Sequence, residues 1–165
     1  MRTGLGREFK TQYQKCQYEA VEYRGREYKL ALYEKEGNIA TITLNRPESR
    51  NAVNDQLFED FLAGLHQAAD DPEVKVVIIK GAGRNFCAGH DLSATDTDET
   101  TAINPALNPT LLDYYGFERR RCSKHEDLLN FPKPTIAQVH GHCIGAGEFV
   151  AASSDLTIAA EDAQF

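Results

Sequence analysis

Apolar residues alternate with other types from Tyr28 to Glu34 (YKLALYE) and again from Asn38 to Leu44 (NIATITL), the period of half-buried strands. The Glu36-Gly37 pair between them predicts a hairpin turn, and Asn45-Arg46-Pro47 ends the second strand. The period then lengthens. Leu57, Phe61, Leu65 and Ala68, with Phe58 and Leu62 beside them, recur at helical spacing, so a helix capped by Asn51 or Asn54 runs to about Ala69 and Pro72 stops it. Val74 to Ile79 (VKVVII) is a nearly continuous β-branched run, the mark of a strand buried on both faces, and it leads into Gly81-Ala82-Gly83. Ser93 to Pro109 is rich in Thr, Asp and Asn, lacks a period and reads as a surface loop. Leu111 to Leu129 has a mixed helical pattern with a basic cluster at Arg119, Arg120 and Arg121. Phe131-Pro132-Lys133-Pro134 breaks the chain before a strand at Thr135 to Val139, a short helix at Ala146 to Ser153 and a last strand at Asp155 to Ala160. The order β, β, α, β, loop, α, β, α, β predicts an α/β fold. Residues 1–27 are polar and without a period, an extension ahead of one domain at 28–165.

Composition narrows the setting. A chain of 165 residues, 41% of them hydrophobic, suits one globular core. Its formal charge of −7, with no block of five like charges, argues against nucleic acid or an anionic membrane as partner. Cys16, Cys87, Cys122 and Cys143 lie far apart with no CxxC pair, which fits neither a zinc ribbon nor a dithiol redox motif and favours a reducing compartment. No apolar stretch is long enough to cross a bilayer, and MRTGLGREFKTQYQK has no apolar core for secretion. A cytoplasmic location is expected, with a mitochondrial or peroxisomal one as the alternative. His140 and His142 have metal-like spacing but no third ligand nearby, so no metal is expected.

The candidate chemistry sits in two glycine-bearing turns, Phe86 to Leu92 (FCAGHDL) and Gly141 to Gly147 (GHCIGAG), each following a strand candidate. The first N–H groups of a helix have no intrahelical partner and lie at the positive end of its dipole, and Ala146 takes that place in the second turn. If the His90 N–H joins it, two main-chain donors converge on one oxygen, the outline of an oxyanion hole. His90 acts here through its backbone, because no orienting carboxylate for its ring is evident, and Asp91 reads more simply as a local cap.

With Leu44 to Ala52 (LNRPESRNA) and Pro134 to Phe165 added to FCAGHDL, the chain resembles the crotonase superfamily, the enoyl-CoA hydratase/isomerase family, from about Leu30 onward. The resemblance implies a spiral of ββα units that binds an acyl-CoA thioester, with the thioester oxygen held by the backbone N–H groups of His90 and Ala146 as an enolate develops. It places Arg46, Asn51 and Ala52 near the pantetheine and adenine end, and Ala88, Asp91 and Leu92 along the CoA path. It implies no separate cofactor, since CoA belongs to the substrate, and a homo-oligomer, trimer or hexamer.

Two departures qualify that likeness. Where the family's hydratases carry a water-positioning glutamate, this sequence has Phe149. Glu148 stands one residue early, and one residue on a helix is about 100° of rotation. Phe149 then reads as core packing or as a wall of the acyl pocket. The second acidic position of the hydratases falls beyond Phe165, and so does the C-terminal helical region that builds trimers. An incomplete spiral is therefore expected, with apolar surface near Ile144, Phe149 and Phe165 uncovered. The expected activity is of hydratase or isomerase type; the competing reading is a non-catalytic acyl-CoA-binding module or an inactive fragment.

Overall fold

The computed structural model describes residues 27–92, 110–112, 115 and 126–165. β1 (Ala31–Glu36) and β2 (Ile39–Leu44) form an antiparallel hairpin in which Ala31 opposes Leu44 and Glu36 opposes Ile39. The turn is Gly37-Asn38, one residue later than the pattern predicts, because Gly37 takes φ +57° at the first turn position while Glu36 stays in the ladder.

Helix α1 (Asp55–Asp70) starts at Asn54, whose side chain accepts from Leu57 N at 2.9 Å. Its apolar stripe, Leu57, Phe61, Leu65 and Ala68, is buried, and α1 packs on β1 and β2. Buried Asp60 on that helix accepts from Lys29 N, Leu30 N and Gln56 Nε2, which ties the chain ahead of β1 to α1. At the other end the Lys133 ammonium donates to the carbonyls of Ala68 and Asp71, where a cation suits the negative end of the dipole.

β3 (Val76–Gly81), β4 (Thr135–Val139) and β5 (Leu156–Ala159) complete a five-stranded sheet in the order β1-β2-β3-β4-β5, parallel from β2 onward. β3 begins two residues later than predicted because Val74 N bonds Asp71 O in the turn after α1. Each crossover steps one place the same way along the sheet. Beyond the strands a second, shorter layer of parallel bridges joins Val53 to His90, Cys87 to Cys143 and His142 to Gln164. α2 (Glu126–Leu129) precedes β4, and α3 (Ala146–Ser153) follows the second bridge layer. Strand, bridge and helix recur as a ββα spiral. The core is continuous through it, from Ile42, Leu44 and Leu65 across Val77 and Ile79 to Phe86 and Val139.

β5 is the outer strand and is exposed along its length, Leu156 and Ile158 included; Ile144, Phe149 and Phe165 are also exposed. The segment Ser93 to Pro109, expected to be a loop, the cluster Arg119 to Arg121, Cys16, Cys122 and residues 1–26 lie outside the described residues.

The start of β4 is fixed by Asp155, which accepts from Thr135 N at 2.7 Å and Thr135 Oγ1 at 2.9 Å; both bonds hold its carboxyl below the usual carboxylate range. A carboxyl whose pKa is lower folded than unfolded stabilises above the unfolded value near 3.9 and loses that contribution as pH falls. The urea midpoint is therefore expected to drop as the pH goes from about 5 to about 3 by more in the native sequence than in Asp155→Asn. Equal drops in the two proteins would remove this role from Asp155.

Candidate functional site

The two glycine turns lie side by side in the bridge layer. Cys87 N donates to His142 O at 3.0 Å and Ile144 N to Cys87 O at 2.9 Å. A Cβ built on Gly145 would sit 3.7 Å from Gly89 Cα, so the turns touch. Gly147 secures the contact from the helix side: a Cβ there would fall 2.7 Å from Cys87 O and 2.8 Å from Cys87 Cβ, distances that no side chain tolerates.

Hydrogen bonds on the neighbouring peptides fix where each key amide points. Gly89 O accepts from Val53 N at 2.7 Å, and Asp91 N donates to Val53 O at 2.9 Å. No peptide bond among the described residues is cis, and in a trans peptide the C=O and N–H point in opposite directions. The His90 N–H therefore points away from Val53, on the side where the turn Ile144 to Ala146 lies. Gly145 O accepts from Phe149 N at 2.9 Å as the first bond of α3, so the Ala146 N–H points out of the helix start. Gly147 N is spent on Ile144 O at 3.0 Å, whereas the Ala146 N–H has no acceptor among the described residues.

The other sequence-predicted site residues separate into two groups. Ala52 and Ala88 are half-buried, Leu92 is 96% exposed, and Phe149 is 40% exposed on α3 next to exposed Glu148. Asn51, Arg46 and Asp91 are spent within the protein. Asn51 is fully buried; its Oδ1 accepts from Arg46 N at 2.8 Å, and its Nδ2 donates to Ala82 O at 2.9 Å and Asn85 O at 2.8 Å. Arg46 forms an ion pair with Asp91 at 2.9 Å and donates to Ala52 O. Val53 and Arg50 escape a reading by residue type because they act through the main chain: Val53 orients residue 90, and Arg50 O takes the Ala88 N–H at 3.0 Å.

Cys87 and Cys143 face each other in the bridge layer and are both buried. Burial pushes the Cys87 thiol up, and burial, the Cys87 thiol and Glu148 push Cys143 up to about 11. Both remain neutral thiols near pH 7, small apolar wall groups and not nucleophiles. His140 Nε2 lies 3.0 Å from Gly83 O. A cavity of about 620 Å³ opens among the loops beyond β2 to β5, lined by Glu48, Arg50, Arg84, His142 and Asp162 among others, and none of the sequence-predicted site residues lines it. Among the described residues no cluster of three or more His, Cys, Asp or Glu is arranged to hold a metal, and no helix is long and apolar enough to cross a membrane.

Residues 34–165 match the family described as enoyl-CoA hydratase/isomerase. A 1,2-epoxyphenylacetyl-CoA isomerase of Escherichia coli (strain K12) is 37% identical over 139 residues, covering 84% of this chain and 50% of that protein. A probable enoyl-CoA hydratase of Mycobacterium tuberculosis is 36% identical over 140 residues, with coverage of 84% and 50%. Among solved structures, a probable enoyl-CoA hydratase from Mycobacterium smegmatis is similar at a TM-score of 0.67 and 39% identity over 81% of this chain and 50% of its own. An enoyl-CoA hydratase/isomerase from Xanthobacter autotrophicus Py2 reaches a TM-score of 0.69 at 35% identity, covering 83% and 48%. The chain spans about half the length of the curated relatives it matches.

Proposed function

The chain belongs to the enoyl-CoA hydratase/isomerase family, and we propose that it binds an acyl-CoA thioester and stabilises the enolate of that thioester with the N–H groups of His90 and Ala146. The observation that carries this reading is the Val53 N to Gly89 O bond, which turns the His90 amide away from Val53, while Gly145 lies against Gly89. Negative charge developing on the thioester oxygen then meets two main-chain dipoles already in place, one of them at the start of α3. Such donors act on the transition state more than on the ground state, because the charge they answer exists only there.

The pantetheine runs past the small, half-buried side chains of Ala52 and Ala88 in this reading, while Leu92 and Phe149 offer apolar surface to the acyl and CoA portions. CoA enters as part of the substrate, so the reading needs no further cofactor. Phe149 brings no carboxylate to the site, which favours an isomerase-type proton transfer over water addition; of the relatives, one is named a 1,2-epoxyphenylacetyl-CoA isomerase and another a probable enoyl-CoA hydratase.

The test is spectroscopic. The full-length protein should bind trans-2-hexenoyl-CoA more tightly than free CoA, with the C1 carbonyl, labelled with ¹³C, shifted to lower stretching frequency in the complex. A bound thioester whose carbonyl frequency matches that in water rejects the reading, as does an absence of binding.

A further inference from the structure

We infer that Arg46 and Asp91 form a positioning pair that fixes the direction of the His90 amide; the inference rests on the enolate reading above for its catalytic consequence. The resemblance alone implies ligand contacts for both residues, but the structure gives their charged groups to each other. Their side chains are only 13% and 9% exposed, and Arg46 Nη2 lies 2.9 Å from Asp91 Oδ2. The same guanidinium donates through Nη1 to Ala52 O and lies 3.4 Å through Nη2 from Ser49 Oγ. One planar fork thus joins the loop after β2 to the turn after β3, a geometry that a lysine cannot copy because its ammonium is a single compact point.

The pair acts at the right place. Asp91 directly follows His90, and its own N–H bonds Val53 O, while Val53 N bonds Gly89 O. The peptide on each side of residue 90 is therefore anchored to Val53, and Arg46 holds both ends: Ala52, next to Val53, by its carbonyl and Asp91 by its carboxylate. The loop that carries Arg46 is itself fixed, since Asn51 bonds Arg46 N, Ala82 O and Asn85 O. Without the fork the turn keeps its two main-chain bonds but loses the tie that sets its angle to the helix start at Ala146. A displacement near 1 Å at a reacting group costs about 10²-fold in rate.

The experiment compares the native full-length protein with Arg46→Lys and Asp91→Asn, by steady-state turnover of trans-3-hexenoyl-CoA to its 2-enoyl isomer and by hydrogen exchange over residues 86–92 without ligand. The expected result is a kcat lowered about 10- to 100-fold, a KM changed by less than about threefold, and faster exchange confined to 86–92. A raised KM with unchanged kcat would make the pair a CoA contact, and unchanged exchange at 86–92 would remove the clamp; either outcome overturns the inference. If the native protein neither binds nor turns over the thioester, the enolate reading fails, and the exchange comparison still decides the pair. Asp91→Asn keeps the shape of the side chain, so it serves where Arg46→Lys does not fold.

Discussion

Replacing Ala146 by proline is expected to cut turnover of the acyl-CoA by about 10²- to 10³-fold while leaving the protein folded. Ala146 is the first residue of α3, the one helical position where proline is at home, because the N–H it lacks has no intrahelical partner. A proline ring restricts the residue before it by contact with that residue's N–H and Cβ, and here that residue is Gly145, which has no Cβ and stands at φ 55° and ψ −108°. The Ala146 N–H has no acceptor among the described residues, so the substitution breaks no hydrogen bond recorded in the fold. It removes one donor from the proposed site and fills the donor's place with the ring. A loss of about 2.7 to 4 kcal/mol in transition-state stabilisation is the usual cost of one such donor. Ala146→Ser, which keeps the N–H, should stay within a few-fold of the native rate. The measurement is kcat beside the thermal midpoint: a proline variant as active as the native protein removes Ala146 from the chemistry, and a fall in midpoint equal to that of a core deletion assigns the loss to folding.

The parts of this architecture that were legible in the sequence are those set by local physics. Alternation marks β1 and β2, the spacing of Leu57, Phe61, Leu65 and Ala68 marks α1, and the run ending at Ile79 marks β3, each within a few residues of its observed bounds. Where bounds moved, a main-chain bond decided: Asp71 O captured Val74 N, and Gly37 took the turn position that left Glu36 paired. The cap of α1 was open between Asn51 and Asn54, and tertiary structure settled it, since Asn51 is drawn into three bonds with chain on both sides of it in the fold. The two glycine turns were visible as motifs because steric need selects glycine. That they approach each other is what the motifs and the resemblance imply; the meeting of Cys87 and Cys143 in the bridge layer, which joins them, has no sequence signal. The Arg46 to Asp91 pair was least visible: 45 residues separate two common charged residues, and nothing in either segment names the other.

Asn51→Ala is expected to lower the stability of the protein by about 3 kcal/mol or more. Its fully buried amide satisfies three main-chain groups, Arg46 N, Ala82 O and Asn85 O, and a buried polar group left without a partner costs about 1 to 3 kcal/mol. Asn51 also holds φ 57°, a left-handed conformation that asparagine accepts more readily than most residues, so alanine adds backbone strain to the lost bonds. Asn51→Asp separates these contributions. Aspartate keeps the shape and the bond from Arg46 N, but at neutral pH it faces the carbonyls of Ala82 and Asn85 with a buried negative charge and no donor. It should therefore rescue little of the alanine deficit at pH 7. Burial raises the carboxyl pKa of such a variant above its unfolded value, so its stability is present at low pH and lost as pH rises through the folded pKa. Urea unfolding of both variants at pH 7 and pH 5 reads this directly, with the gap between Asn51→Asp and the native protein narrowing at the lower pH. An aspartate variant as stable as the native protein at pH 7 would show that the two donor bonds contribute nothing. The loop carrying Arg46 and Val53 would then owe its shape to the main chain alone, and the orientation of the His90 amide would not depend on Asn51.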